Sequence, residues 1–182
     1  GRFFIRVVLV VAFIGMGWHA TAAEILTPAK QAYITDFESG KVLFAKDAEV
    51  PMKPASMAKI MTVFIVFQRV ADGSLQLDDR FLVSEKAWRK GGSKTFVEVG
   101  KEVSVRDLLY GVVVQSGNDA AIAIAEGISG TEEGFAEEMN YVARKLGMEN
   151  TVFRNSTGWP HLEQHTTARD LNILATAMIR EF

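Results

Sequence analysis

Residues 56–71 read SMAKIMTVFIVFQRVA, and Asp72-Gly73 ends the run. Ile60, Met61, Val63, Phe64, Ile65, Val66 and Phe67 leave almost no polar face. A helix that is apolar all round is buried at the centre of a fold, so the rest of the chain must wrap this one. The run falls short of the roughly 20 residues that a membrane span needs. Lys59 is then a cation in the first turn of a core helix, with Ser56 one turn earlier. Residues three apart share a helix face, so hydroxyl and amine can meet. Burial disfavours ammonium and pushes a lysine toward its neutral form. A neutral amine beside a hydroxyl is a base beside a nucleophile. The free N–H groups at the helix N-terminus suit a developing oxyanion. The competing reading makes Ser56 a plain N-cap and lets Lys59 snorkel to water.

The chain has 182 residues, enough for one domain with a sizeable core. Apolar content of 48% and charge of 23% suit a globular protein. A net charge of −2 gives no electrostatic footprint for nucleic acid. The absence of cysteine excludes a disulfide framework and thiolate metal sites. Arg2 and Arg6, the apolar stretch 7–17 and Ala20-Thr21-Ala22 together have the form of a secretory signal peptide over residues 1–22. The run is short for a membrane anchor. The expected domain is therefore 23–182, exported to the periplasm or the outer face of the cytoplasmic membrane.

Residues 31–37 and 41–46 are β-type runs around Glu38-Ser39-Gly40, a hairpin signal. Residues 48–54 form a linker with two prolines. A short strand is expected at 81–83, a mobile loop over 87–95 around Gly91-Gly92, and a second short strand at 96–99. Ser104 to Asp107 has the spacing of a capping box, and Leu108, Leu109, Val112 and Val113 continue it as one helical face. Ser116-Gly117-Asn118 interrupts that helix. Another is expected from Ala120, capped by Asn118 or Asp119. Thr131 opens a helix that Gly147 closes. Residues 150–164 read as loop, and Thr167 to Asp170 is a further capping box. With one early hairpin and a last helix that has no stop signal, further strands are expected beyond residue 182.

Ser116-Gly117-Asn118 is the second chemical candidate. At a break between apolar helices its side chains can face a cleft. Ser116 can relay a proton, and the Asn118 amide can fix a substrate amide or an amine. The alternative is a helix–helix turn with an Asn cap. Ser-x-x-Lys on a buried helix, followed about sixty residues on by Ser-Gly-Asn, resembles the penicillin-binding protein and serine β-lactamase superfamily. PASMAKIMT, FVEVGKEVSVRDLLYGVVVQSGNDAAIAIAE and HTTARDL are more closely similar to the low-molecular-mass penicillin-binding proteins, the D-alanyl-D-alanine carboxypeptidases.

The resemblance implies an α+β, D,D-peptidase-like fold, a helical subdomain with an antiparallel sheet covered by helices. It implies no cofactor and no metal. Ser56 would attack the carbonyl between the two D-alanines of a peptidoglycan stem peptide, with Lys59 as base. Ser116 would pass the proton to the leaving D-alanine. Gly117 and Asn118 would contact the peptide, and Asn118 would also hold Lys59. β-Lactams would acylate Ser56. Gly92 and Ser93 would belong to a loop flanking the site, and Asp170 would line the cleft edge unless its capping box accounts for it. The family's Lys-Thr-Gly triad is not present: Lys94-Thr95 is followed by Phe96 and precedes Ser-Gly-Asn. The family's C-terminal β-domain and membrane-surface helix are also expected beyond residue 182. Three other activities share these motifs: a D,D-endopeptidase, a serine β-lactamase, and a non-catalytic penicillin sensor. The β-lactamase reading wants an Asn four residues after a loop Glu, whereas Thr167 follows Glu163 at that spacing. His161 and His165 are four apart, but Gly158 and Pro160 place them in loop rather than on a metal-binding helix.

Overall fold

The computed structural model describes residues 25–182. The expected signal peptide lies outside them. In chain order the elements are β1 (Ala32–Thr35), β2 (Val42–Lys46), a 3-10 turn (Ala55–Met57), α1 (Ala58–Ala71), β3 (Arg80–Leu82), α2 (Glu85–Arg89), β4 (Glu102–Ser104), α3 (Val105–Gln115), α4 (Asn118–Ser129), α5 (Glu132–Leu146) and α6 (Ala168–Glu181).

The apolar helix is the axis of the fold because it serves two cores at once. Val63 and Val66 face Leu108, Val112 and Ile122 of α3 and α4. Met61, Phe64 and Ile65 face Phe135, Met139 and Leu174 of α5 and α6. A helix with a core on either side cannot carry a polar stripe along its length. The sheets are small and antiparallel. β1 pairs with β2 from Ala32↔Lys46 to Thr35↔Val42, and β3 pairs with β4 from Arg80↔Ser104 to Leu82↔Glu102. In the hairpin turn, Asp36 N donates to Lys41 O and Gly40 N to Asp36 O, both at 2.8 Å. Helix α6 lies against β1, where Thr35 Oγ1 donates to Asn172 Oδ1 at 3.2 Å.

The capping signals hold. Ser104, Thr131 and Thr167 accept from the backbone N–H of Asp107, Gly134 and Asp170 at 3.0–3.1 Å. Gly147, with φ of 85°, ends α5.

Three local expectations need correction. The stretch 87–95 is not all loop: Ser84 caps the short helix α2 by accepting from Ala87 N at 3.0 Å, and the loop starts at Lys90. Residues 96–99 are not a strand. The Asp119 carboxylate takes the N–H groups of Thr95, Phe96 and Val97, and Phe96 has φ of 64°, so the ladder donors are already used. The strand comes later, as β4. Helix α4 begins at Asn118 rather than Ala120, with Gly117 as its N-cap and no side-chain cap. Among the described residues no helix is long and apolar enough to cross a membrane.

Candidate active site

The prolines of the linker lead into a tight 3-10 turn that presents Ser56 at the head of α1. Ala55 before it has φ of 48°, a left-handed conformation that costs a non-glycine residue about 1 kcal/mol. Gly158, itself at φ of 80°, packs against the Ala55 carbonyl so closely that any Cβ there would overlap the oxygen. Ser56 is exposed, while Lys59 is only 5% exposed. Lys59 Nζ lies 3.4 Å from Ser56 Oγ and donates to the Thr157 carbonyl at 3.1 Å. Burial pushes the Lys59 amine below the ordinary lysine range. Neither bland reading survives. Ser56 makes no capping bond to α1, and Lys59 stays inside the protein instead of reaching water.

Ser56 and Lys59 open into a cavity of about 290 Å³ that Ser116 also lines. Ile60, Val63, Val112, Val113 and Met178 supply the apolar remainder of the lining. Ser116 closes α3 in the left-handed conformation, φ 54° and ψ 34°. The break between α3 and α4 thus turns its hydroxyl toward the same space as the Ser56–Lys59 pair. The chemistry available is a nucleophilic hydroxyl, an amine biased toward its neutral form, and a second hydroxyl able to relay a proton.

Asn118 has a different partner from the expected one. Its side-chain amide donates to Gly91 O at 2.8 Å, and its backbone N–H donates to Ser93 O at 2.8 Å. Asn118 therefore anchors the 90–93 loop, and Lys59 bonds Ser56 and Thr157 instead. Gly92 and Ser93 lie in that anchored loop and are not among the residues that line the cavity. Gly92 has φ of 78°, and a Cβ there would press on the Asn118 amide and the Trp159 ring at 2.8 and 3.2 Å. Lys90 Nζ lies 4.3 Å from the centre of the Trp159 ring, joining the loop to the 155–164 segment. Gly117 is glycine because the Thr95 side chain occupies the place of its Cβ.

Asp170 does not reach the cavity. It is fully buried, and its carboxylate accepts from Asn150 N at 2.9 Å and Thr151 Oγ1 at 2.7 Å. Its work is to tie α6 to the 150–151 turn. His161 Nδ1 accepts from Glu163 N, and His165 Nδ1 lies 2.8 Å from Glu163 O, so both rings serve one local turn. No cluster of three potential metal ligands occurs among the described residues.

Two contributors had no clear sequence signal. The Thr157 carbonyl is backbone, so residue type says nothing about it. Asp119 is fully buried and receives four N–H groups, from Thr95, Phe96, Val97 and Ala120. An acid in the first turn of a helix was the only hint, and it also fits an ordinary dipole role.

The fold is of the D,D-peptidase type. The D-alanyl-D-alanine carboxypeptidase from Francisella tularensis superposes with a TM-score of 0.86 at 43% identity, covering 88% of this chain and 39% of that one. The chain belongs to the D-alanyl-D-alanine carboxypeptidase family, peptidase S11, whose sequence profile matches residues 19–182. It is 39% identical over 158 residues to D-alanyl-D-alanine carboxypeptidase DacF of Bacillus subtilis, covering 87% of this chain and 41% of the relative. It is 40% identical over 159 residues to DacC of Escherichia coli, covering 84% of this chain and 40% of the relative. The chain thus spans about 40% of the length of these relatives.

Proposed function

We propose that this chain carries the nucleophilic half of a serine D-alanyl-D-alanine carboxypeptidase. The observation that carries the reading is Lys59 Nζ, buried at 5% exposure and 3.4 Å from Ser56 Oγ. A desolvated amine at that place takes the hydroxyl proton as Ser56 Oγ attacks the carbonyl carbon between two terminal D-alanines. The C–N bond breaks, and Ser116 relays the proton held by Lys59 to the leaving amine, which returns the Lys59 amine to its neutral form. The D-alanine departs, and the rest of the stem peptide stays as an ester on Ser56. Water then hydrolyses the ester and returns the serine hydroxyl. The N–H groups of Met57 and Ala58 at the head of α1 already donate within the 3-10 turn, to Pro54 O and Ala55 O, so they are not free donors for the oxyanion. Anchored by Asn118, the 90–93 loop forms a wall for the peptide. A β-lactam carries a comparable amide and acylates the same oxygen.

The substrate, peptidoglycan, lies outside the cytoplasmic membrane, which agrees with the export signal read in residues 1–22. In the full-length protein, fluorescent penicillin should label Ser56 covalently, and Ser56→Ala should abolish the label. Labelling that persists in that variant overturns the assignment.

A further inference from the structure

Glu132, the first residue of α5, is only 5% exposed and lies outside the cavity. An acid in that place is expected merely to complement the helix dipole. Its bonds say more. Oε1 accepts from Ser156 Oγ at 2.9 Å and from Ser156 N at 3.2 Å. Oε2 lies 3.1 Å from Lys86 Nζ of α2. The Ser156 carbonyl in turn accepts from the buried hydroxyl of Thr62, on α1, at 2.8 Å. Ser156 is thus held at N–H, Oγ and C=O, and the next carbonyl along the chain, Thr157, receives the Lys59 amine.

We infer that Glu132 is a positioning residue for Lys59, acting through Ser156 to fix the Thr157 carbonyl that holds the amine. The physical reason is geometric. An amine serves as base only if its lone pair points at the hydroxyl. A carbonyl that holds one N–H of Lys59 removes the rotational freedom that would let the lone pair turn away. The 155–158 segment is irregular chain with no helix or ladder of its own to stiffen it. Glu132 and Thr62 supply the stiffness from two neighbouring helices. Through Lys86 the same carboxylate also reaches α2, which leads into the loop anchored by Asn118. One buried acid therefore links the supports of both walls of the site.

The charged groups around this arrangement are few. Lys86 faces Glu132 and also pairs with Glu133 at 2.8 Å. Lys59 is the sole titratable side chain in the cavity lining among the described residues. A change in its titration therefore reports on its backbone acceptor and its burial.

The inference rests on the proposed role of Lys59, and the test separates the two. The first measurement is the penicillin acylation rate of the full-length protein against pH. The second is an NMR titration of the Lys59 ε-methylene, which needs no activity. Glu132→Ala frees Ser156, so the plateau rate should fall on the order of tenfold to a hundredfold. Loss of the carbonyl that stabilises ammonium should move both titration midpoints to lower pH, by about half a unit or more. Glu132→Gln still offers one oxygen to Ser156 and should restore rate and midpoint to near wild type. Ser156→Ala, which keeps the N–H bond and loses Oγ, should shift both in the same direction by less, and it serves if Glu132→Ala does not fold. Wild-type rates and midpoints in folded Glu132→Ala, or in Ser156→Ala if Glu132→Ala does not fold, overturn the inference. A failure of Glu132→Gln to rescue also overturns it. A wild-type protein that penicillin does not acylate refutes the proposed function instead, and the NMR arm still decides the positioning role.

Discussion

Lys59 is the residue on which the proposed chemistry and stability pull in opposite directions. Burial alone lowers its pKa, so the unfolded chain holds the proton more tightly than the folded one. The resulting penalty is fully present below the depressed folded value. It is relieved as pH climbs to the ordinary lysine value, so stability rises with pH across that window. Denaturant titrations of wild type and Lys59→Met at several pH values should show the wild-type deficit shrinking as pH rises. A deficit independent of pH would mean that Lys59 keeps its proton on folding across the window, with no difference between its folded and unfolded affinity for it. Lys59→Arg tests the catalytic side. Guanidinium does not deprotonate in a protein, so acylation by penicillin should fall at least about a hundredfold while the fold survives. A folded Arg variant within tenfold of wild type would remove Lys59 from the role of base. Asp119 is the other decisive residue. Asparagine would aim N–H donors at backbone N–H groups. Asp119→Asn should cost about 1–3 kcal/mol in a thermal or urea melt. It should also release the amides of Thr95, Phe96 and Val97 to faster hydrogen exchange.

At the scale of elements, the site is built at ends and breaks rather than on element faces. Ser56 stands in the turn before α1, Ser116 at the left-handed end of α3, and Asn118 at the start of α4. Helix ends leave backbone groups unpaired, and loops must be tied down by other means. Here the ties are Asn118 to Gly91 and Ser93, Asp119 to 95–97, and Glu132 to Ser156. The close approach of Gly158 to the Ala55 carbonyl is the tie that seats the turn carrying Ser56. Gly158→Ala would require both a left-handed alanine and displacement of that carbonyl. We expect a loss of about 1–3 kcal/mol in stability, together with slower labelling of Ser56. Near-normal labelling in a stable variant would show that the turn does not depend on this contact.

For the whole molecule, one helix between two cores is the organising fact. Phe135 is fully buried in the core shared by α1, α5 and α6. Phe135→Ala should cost about 3–5 kcal/mol, measurable by urea unfolding, since the surrounding helices cannot collapse into the space. A loss below about 1 kcal/mol would show that this core is loosely packed. The sequence alone determined the central helix, because hydrophobic periodicity depends only on residue order. It determined the caps at Ser104, Thr131 and Thr167, because a hydroxyl reaches a backbone N–H two or three residues on without outside help. It determined the hairpin and the Ser56–Lys59 pairing, since three residues of helix fix that distance. That 96–99 would not form a strand was illegible, because the N–H groups of Phe96 and Val97 go to Asp119, more than twenty residues away. The partner of Asn118 and the Thr157 carbonyl beside Lys59 were illegible for the same reason. Such contacts depend on which segments the two cores bring together, and a local pattern carries no record of a partner supplied by another part of the fold.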